Sequence, residues 1–166
     1  MSRIIAFVGY SNGGKTSLII ELILSRVARG ERVAAIKHTH HDFPPDSRGD
    51  TDAFLAAGAS EVLLATDRKA VLFDEKRSSL VFPFHNVNEL PALFSKSPDA
   101  LFIEGFKRQG LWNRILVDHS ALPVPPTNLP AIVAVVTDRP SIFVSLTTFA
   151  PGEVAAINEF LDKMPA

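Results

Sequence analysis

The chain has no cysteine among its 166 residues, which excludes disulfides and thiolate metal sites. It lacks a dominant charge as well. Lys and Arg total 17 against 18 Asp and Glu, a net charge of −1. No global electrostatic footprint for nucleic acid or membrane follows from that balance, and neither is expected as a partner. No apolar stretch approaches the roughly 18 residues of a membrane span. The first apolar run, Ile4 to Val8, is too short for a secretory h-region. These absences point to a cytoplasmic protein. Internal repeats and low-complexity tails are missing too. What is present is 46% apolar and 21% charged residues, the balance of an ordinary globular domain. The length suits a single domain, residues 1–166, with a real core.

Strand and helix patterns alternate along the chain. Ile4 to Val8 is continuously apolar and predicts a strand buried on both faces. Lys15 to Arg29, free of Pro and Gly and stopped by Gly30, predicts a helix that is apolar most of the way round. Arg32 to Lys37 follows as a second strand, parallel to the first. A short helix is expected over Asp50 to Ala57, and strands over Glu61 to Ala65 and Ala70 to Asp74 with a hairpin-like link. Residues 86–94 read as helical. Further strands are expected over Ala100 to Ile103, Ile115 to Val117, Ala131 to Val136 and residues 142–145. Four prolines make residues 120–130 a loop. A closing helix runs from Pro151 to Met164. The fold class is α/β: a P-loop NTPase three-layer sandwich with a mostly parallel sheet and a small antiparallel extension. Strands near 70–74 and 115–117 are expected as exposed edges.

Gly9 to Thr16 reads Gly-Tyr-Ser-Asn-Gly-Gly-Lys-Thr, a full match to G-x-x-x-x-G-K-[ST] with a strand before it and a helix after it. Gly13 and Gly14 lack the Cβ atoms that would keep the backbone off a phosphate. Successive N–H groups and the helix N-terminus then face the anion. Lys15 brings charge to the β- and γ-phosphates, and Thr16 brings a hydroxyl to Mg²⁺. Gly9, Asn12, Gly13, Gly14, Lys15, Thr16 and Ser17 form the nucleotide-binding set.

P-loop proteins also need a carboxylate near Mg²⁺. Glu104 lies at the C-terminal end of its strand, where ligands bind in open α/β sheets. Asp99 lies at the opposite end, about 16 Å away at strand rise, and suits a turn. Lys107 and Arg108 follow Glu104 and either reach phosphate or stand as loop cations. The segment Lys37-His38-Thr39-His40-His41-Asp42 opens on the same edge. Its three imidazoles suit metal ligation, proton transfer or hydrogen bonding to an anionic partner. In a strand, His38 and His40 share a face and His41 points away. Asp42 and Asp46 are near enough in sequence to join them. Asp138, at the end of a core strand, either accepts from guanine N1 and N2 or belongs to the turn Asp138-Arg139-Pro140.

Taken together, the P-loop, Lys37-His38-Thr39-His40-His41-Asp42, Phe102-Ile103-Glu104-Gly105-Phe106-Lys107 and Val135-Val136-Thr137-Asp138-Arg139-Pro140 resemble the molybdopterin-guanine dinucleotide biosynthesis protein B (MobB) family. The resemblance covers most of the chain with order and spacing preserved. It implies a GTP-binding protein, usually a homodimer, with weak GTPase activity and Mg²⁺ as cofactor. Such proteins assist a MobA-type guanylyltransferase in attaching GMP to molybdopterin, which gives the guanine dinucleotide cofactor. By matching position, Gly14, Lys15 and Thr16 would hold phosphates and Mg²⁺, with Glu104 the acidic strand-end residue. His38, His40 and His41 would form the family's histidine segment, and Asp138 would approach the base. The His segment, Asp42, Asp46 and Lys107 form the loop that would meet a partner or pterin ligand. Two departures stand out. Arg48-Gly49-Asp50 replaces a Gly-Lys-Asp segment and is one residue shorter, and the P-loop reads Tyr-Ser-Asn-Gly-Gly where relatives often have Ser-Gly-Ser-Gly. The competing functions are a metallochaperone GTPase using the His38, His40 and His41 loop, and a small-molecule P-loop kinase.

Overall fold

The computed structural model describes residues 3–40, 49–74, 76 and 79–165. His41, Asp42, Asp46 and Arg48 lie outside the described residues. The apolar runs form the middle of a sheet, and among the described residues the sheet has nine strands. They are β1 (Arg3–Val8), β2 (Val33–His38), β3 (Glu61–Ala65), β4 (Lys69–Asp74), β5 (Ser79–Pro83), β6 (Ala100–Glu104), β7 (Asn113–Val117), β8 (Ile132–Val136) and β9 (Thr147–Phe149). Their spatial order is β5-β4-β3-β2-β6-β1-β7-β8-β9. From β3 to β9 every neighbouring pair is parallel. β3, β4 and β5 form an antiparallel meander.

Side chains alternate between the two faces of the sheet. Ile5, Phe7, Ala35, Phe102, Ile115 and Val136 pack on one face against α1 (Lys15–Val27), α2 (Gly49–Ala56) and α3 (Val154–Lys163). Ala6, Ile36, Leu63, Leu101 and Ile103 form the other face, with Val135 further along. That second face is covered by the 3-10 helix Val87–Leu93 and by loop residues including Phe94, Phe106, Trp112 and Phe143. The sandwich therefore has three layers, but α1, α2 and α3 lie in one of them. Pro91 sits inside the 3-10 segment. It removes an N–H and blocks a regular α-turn, which explains why residues 86–94 wind more tightly than the sequence pattern suggested. No helix among the described residues is long and apolar enough to cross a membrane.

Several expectations need correction. Residues 142–145 are not a strand: Pro140–Ile142 forms a 3-10 turn, closed by the Phe143 N–H donating to the Pro140 carbonyl. The outer strand is Thr147–Phe149 instead. The strands expected to be edges are interior. β4 pairs with both β3 and β5, and β7 with both β1 and β8. The unanticipated β5 takes the edge, with Leu80 and Val81 exposed. α1 buries Leu18, Ile19, Leu22 and Ile23 but leaves Leu24 exposed.

Arg26 departs furthest from its sequence appearance. In the sequence it is one of the basic residues in the last turn of a helix, yet its side chain is fully buried. Its Nη1 lies 2.7 Å from Glu31 Oε2 and its Nη2 2.9 Å from Asp162 Oδ1. The guanidinium also stands 5.9 Å from the Phe102 ring centroid. It ties α1 to α3 and to the turn before β2. Arg29 meets the same two acids from a half-exposed position. Arg26→Ala should destabilise the fold by about 3 kcal/mol, because it strips the buried partner from two carboxylates. Arg29→Ala should cost less than about 1 kcal/mol, as exposed pairs do. Parallel thermal melts of the two variants check this difference.

Candidate functional site

The phosphate cradle begins where β1 ends. Gly9 has φ 151°, and a Cβ there would run into the Val117 carbonyl on β7. Only glycine lets the chain leave the sheet at that point. The loop then turns through Asn12 (φ 60°) and Gly14 (φ 90°). Asn is one of the few side chains that accept the left-handed region. The Gly13 N–H donates to the Tyr10 carbonyl at 3.3 Å, and α1 starts at Lys15. The first-turn N–H groups of α1 therefore open toward the cleft.

A cleft of about 470 Å³ lies over this loop. Ser11, Asn12, Gly14, Lys15, Thr16, Ser17, Lys37, Asp50 and Glu104 line it. Most of the nucleotide-binding set thus meets the strand-end carboxylate in one place. Gly13 lies against the Tyr10 carbonyl behind the loop, and Gly9 lines the neighbouring clefts. The Thr16 hydroxyl donates to Glu104 Oε2 at 2.9 Å. Lys37 Nζ sits 2.6 Å from Glu104 Oε1 and 2.5 Å from Asp50 Oδ2. Lys15 Nζ donates to the Tyr10 carbonyl at 2.6 Å. Burial holds the Lys15 ammonium below its ordinary pKa, partly offset by the charge of Glu104. Burial opposes the Lys37 charge too, but hydrogen bonds to Asp50 and Glu104 outweigh it and hold that pKa above the ordinary value.

The site offers two chemistries. Ammonium groups and backbone amides suit an anion, while the Thr16 hydroxyl and the Glu104 and Asp50 carboxylates form the all-oxygen set that suits Mg²⁺. From sequence, Asp50 is expected only as the start of a short helix, within the shortened Arg48-Gly49-Asp50 segment. Its partner Lys37 reads as the end of a strand and the head of the histidine segment, without a site role of its own. Asp99 is remote from this chemistry: its carboxylate accepts from the Arg32 N–H, and its carbonyl accepts from the Arg3 N–H.

A second cleft of about 390 Å³ adjoins the first, lined by Lys37, His38, His40 and the segment from Glu104 to Gln109. Lys107 reaches back over the P-loop, with Nζ 5.6 Å from the Tyr10 ring centroid. The loop bearing Lys107 and Arg108 is held from beneath by Arg114. That guanidinium is buried and donates only to carbonyls in this network: Trp112 at 2.9 Å, Pro130 at 3.1 Å, Gln109 at 2.5 Å and Gly110 at 3.2 Å. Burial lowers its pKa. His38 stacks on Phe106 with centroids 4.1 Å apart, and burial lowers the pKa of its imidazole, partly offset by Asp67.

A sequence profile described as molybdopterin guanine dinucleotide synthesis protein B (MobB) matches residues 4–138. The chain belongs to the MobB family. It is 32% identical over 126 residues to the molybdopterin-guanine dinucleotide biosynthesis adapter protein of Escherichia coli (strain K12), covering 73% of this chain and 69% of that protein. It is 27% identical over 162 residues to the adapter protein of the same description from Haemophilus influenzae, covering 96% of this chain and 88% of that one. The crystal structure of Bacillus subtilis MobB superposes with a TM-score of 0.61 at 19% identity, covering 99% of each chain. That likeness establishes the α/β fold.

The MobB match ends at Asp138, whose carboxylate accepts from the Ser120 N–H at 2.8 Å and the Ser120 hydroxyl at 2.6 Å. The Ser120 hydroxyl is foremost in holding its pKa below the ordinary carboxylate range. Asp138 thus fastens the loop after β7. A narrow cleft of about 150 Å³ between that loop and the P-loop is lined by Gly13, Ser17, Glu21, Asp118, His119 and Pro151 among others, and Asp138 stands outside it. Asp118 is the residue the sequence missed. It is buried, accepts from Thr137 Oγ1 at 2.7 Å, and takes Arg139 Nε at 2.8 Å and Nη2 at 2.5 Å.

Arg139 leads in depressing the Asp118 pKa. A depressed folded pKa gives stability that is complete above the unfolded value of about 3.9 and lost as pH falls through the folded value. Asp118→Asn should therefore cost about 3 kcal/mol at pH 7. The gap between the two proteins should narrow only below pH ~4. Denaturant unfolding of both proteins from neutral to acid pH measures it.

Proposed function

We propose that this MobB-family protein binds GTP with Mg²⁺ in the P-loop cleft. There it serves as an adapter while a MobA-type guanylyltransferase attaches GMP to molybdopterin. One observation carries the reading: the P-loop's Lys15 and Thr16 share a cleft with Glu104 and Asp50 at the C-terminal edge of the parallel sheet, where α/β proteins bind their ligands. The names of the E. coli and H. influenzae relatives support the adapter role.

Lys15 leaves the Tyr10 carbonyl for the β- and γ-phosphate oxygens, while the amides at the start of α1 receive the remaining charge. Thr16 would hold Mg²⁺ and Glu104 would hold it through a bound water, and the ion would supply charge to neutralise the phosphates. Lys37 keeps Glu104 and Asp50 paired. Lys37 occupies an oxygen of each carboxylate that could otherwise orient an attacking water, so hydrolysis is slow. Asp138 reads guanine: each of its oxygens keeps a second lone pair beyond the bonds to Ser120. Lys107 and the histidine segment meet the pterin ligand or the partner enzyme. The exposed β5 edge, with Leu80 and Val81 outward, favours a homodimer.

Calorimetry with GTP, ATP and Mg²⁺ tests the reading. GTP should bind more tightly than ATP. Lys15→Ala should weaken GTP by about 100-fold, the worth of a charge-assisted contact. Asp138→Asn should erode the preference for guanine and leave phosphate binding intact. Unchanged GTP affinity in the Lys15 variant, or preference for ATP in the parent, rejects it.

A further inference from the structure

His38 ends β2 in register with Ala65 of β3, two residues before Asp67 in the β3–β4 turn. The register delivers two histidines and a carboxylate to one spot on the sheet edge. One ligand atom from each of His38, His40 and Asp67 lies within 4.8 Å of the others. His38 Nε2 is 3.1 Å from Asp67 Oδ1, and the two imidazole rings meet edge to face at 4.5 Å. We propose that His38, His40 and Asp67 bind a divalent transition-metal ion of the zinc, cobalt(II) or nickel class.

The donor set selects the ion. Two imidazole nitrogens and one carboxylate oxygen suit zinc and its neighbours, whereas Mg²⁺ prefers the oxygen set of Thr16, Glu104 and Asp50. In a tetrahedral site with bonds of about 2.0–2.2 Å, ligand atoms stand about 3.3–3.6 Å apart. The His38–Asp67 pair is already near that spacing. The rest of the closure falls on His40 and Asp67, which are exposed. His38 is the fixed member. Its side chain is 7% exposed, stacked on Phe106 and seated against Gly105, where a Cβ would come within 2.7 Å of His38 Cβ. One anchored ligand and two adjustable ones leave a fourth position for water or a ligand group.

A purely structural role explains the cluster less well. The β3–β4 turn is closed without Asp67: the Thr66 N–H donates to the Lys69 carbonyl at 2.8 Å, and the Lys69 N–H donates to Thr66 Oγ1 at 3.1 Å. Placing His40 against His38 adds an imidazole to a pair whose hydrogen bond is already made. The site does not depend on nucleotide binding and stands or falls separately.

The full chain, stripped of metal, should be titrated with Co²⁺ in excess Mg²⁺ while the visible d–d bands are followed. One equivalent should bind, and Zn²⁺ should displace it. His40→Ala and Asp67→Asn should each weaken Co²⁺ by more than the about 10–100-fold that loss of an outer-shell partner costs. His85→Ala should leave it unchanged. His40 and Asp67 are exposed, so these variants should melt like the parent, whereas His38→Ala opens the Phe106 stack and is less informative. Absence of Co²⁺ binding at millimolar concentration overturns the proposal. So does an ion that survives either substitution.

Discussion

The Lys37 ammonium joins the parts of the phosphate cleft. It stands between Glu104 on β6 and Asp50 on α2, and Glu104 in turn accepts from Thr16 on α1. Two carboxylates facing one pocket repel by about 4 kcal/mol at 4 Å in a medium of effective dielectric 20. Burying Glu104 adds a desolvation cost. A cation shared between them replaces the repulsion with attraction and offsets the desolvation cost. It also explains how a helix as short as α2 is fixed against the sheet edge: Phe54 anchors its apolar side and Asp50 its first turn.

The sheet topology makes this meeting possible. β1, β2, β6, β7 and β8 run parallel, so their C-terminal ends share one edge. Val8, His38, Glu104, Val117 and Val136 each hand the chain to a loop there. The P-loop grows from β1, the loop held by Arg114 from β6, and the Asp118 and Asp138 turns from β7 and β8. Adjacent registers then set which loops touch. Phe7 pairs with Glu104 and Lys37 with Glu104, so β6 carries its carboxylate between the P-loop strand and the lysine strand.

Sequence was most informative where chemistry is local. The P-loop is a contiguous pattern whose glycines answer a contiguous backbone demand, and Glu104 is placed by the end of an apolar run. The core strands were legible for the same reason, since burial on both faces leaves unbroken apolar segments. Interactions between distant segments were not legible. Neither the buried setting of Arg26 nor that of Arg114 can be read from the sequence, because nothing nearby in it reveals Asp162 or a ring of carbonyls. Asp118 and Arg139 are separated by 21 residues. Asp138 was visible as a strand-end carboxylate, but its bond to Ser120 depends on how the β7 loop folds back. β5 was missed because a five-residue strand ending in Pro83 carries little pattern of its own. The two strands expected at the edges are interior because β5 and β9 extend the sheet beyond them.

β2 also shows how one strand end can serve two chemistries. Val33 and Ala35 face the helices, and Lys37 continues that row to reach Asp50 on α2. Ala34 and Ile36 face the loop layer, and His38 continues that row onto Phe106. Alternation therefore sends adjacent residues to opposite sides: an ammonium toward the carboxylates of the phosphate cleft and an imidazole toward Asp67. A one-residue slip of β2 would send each to the wrong face: in one direction it brings an imidazole between Glu104 and Asp50, and in the other a lysine against Phe106. The buried alanines of β2 resist that slip, because each is packed under neighbours on its own face. The placement of both groups is thus set by the sheet core rather than by the loops that use them.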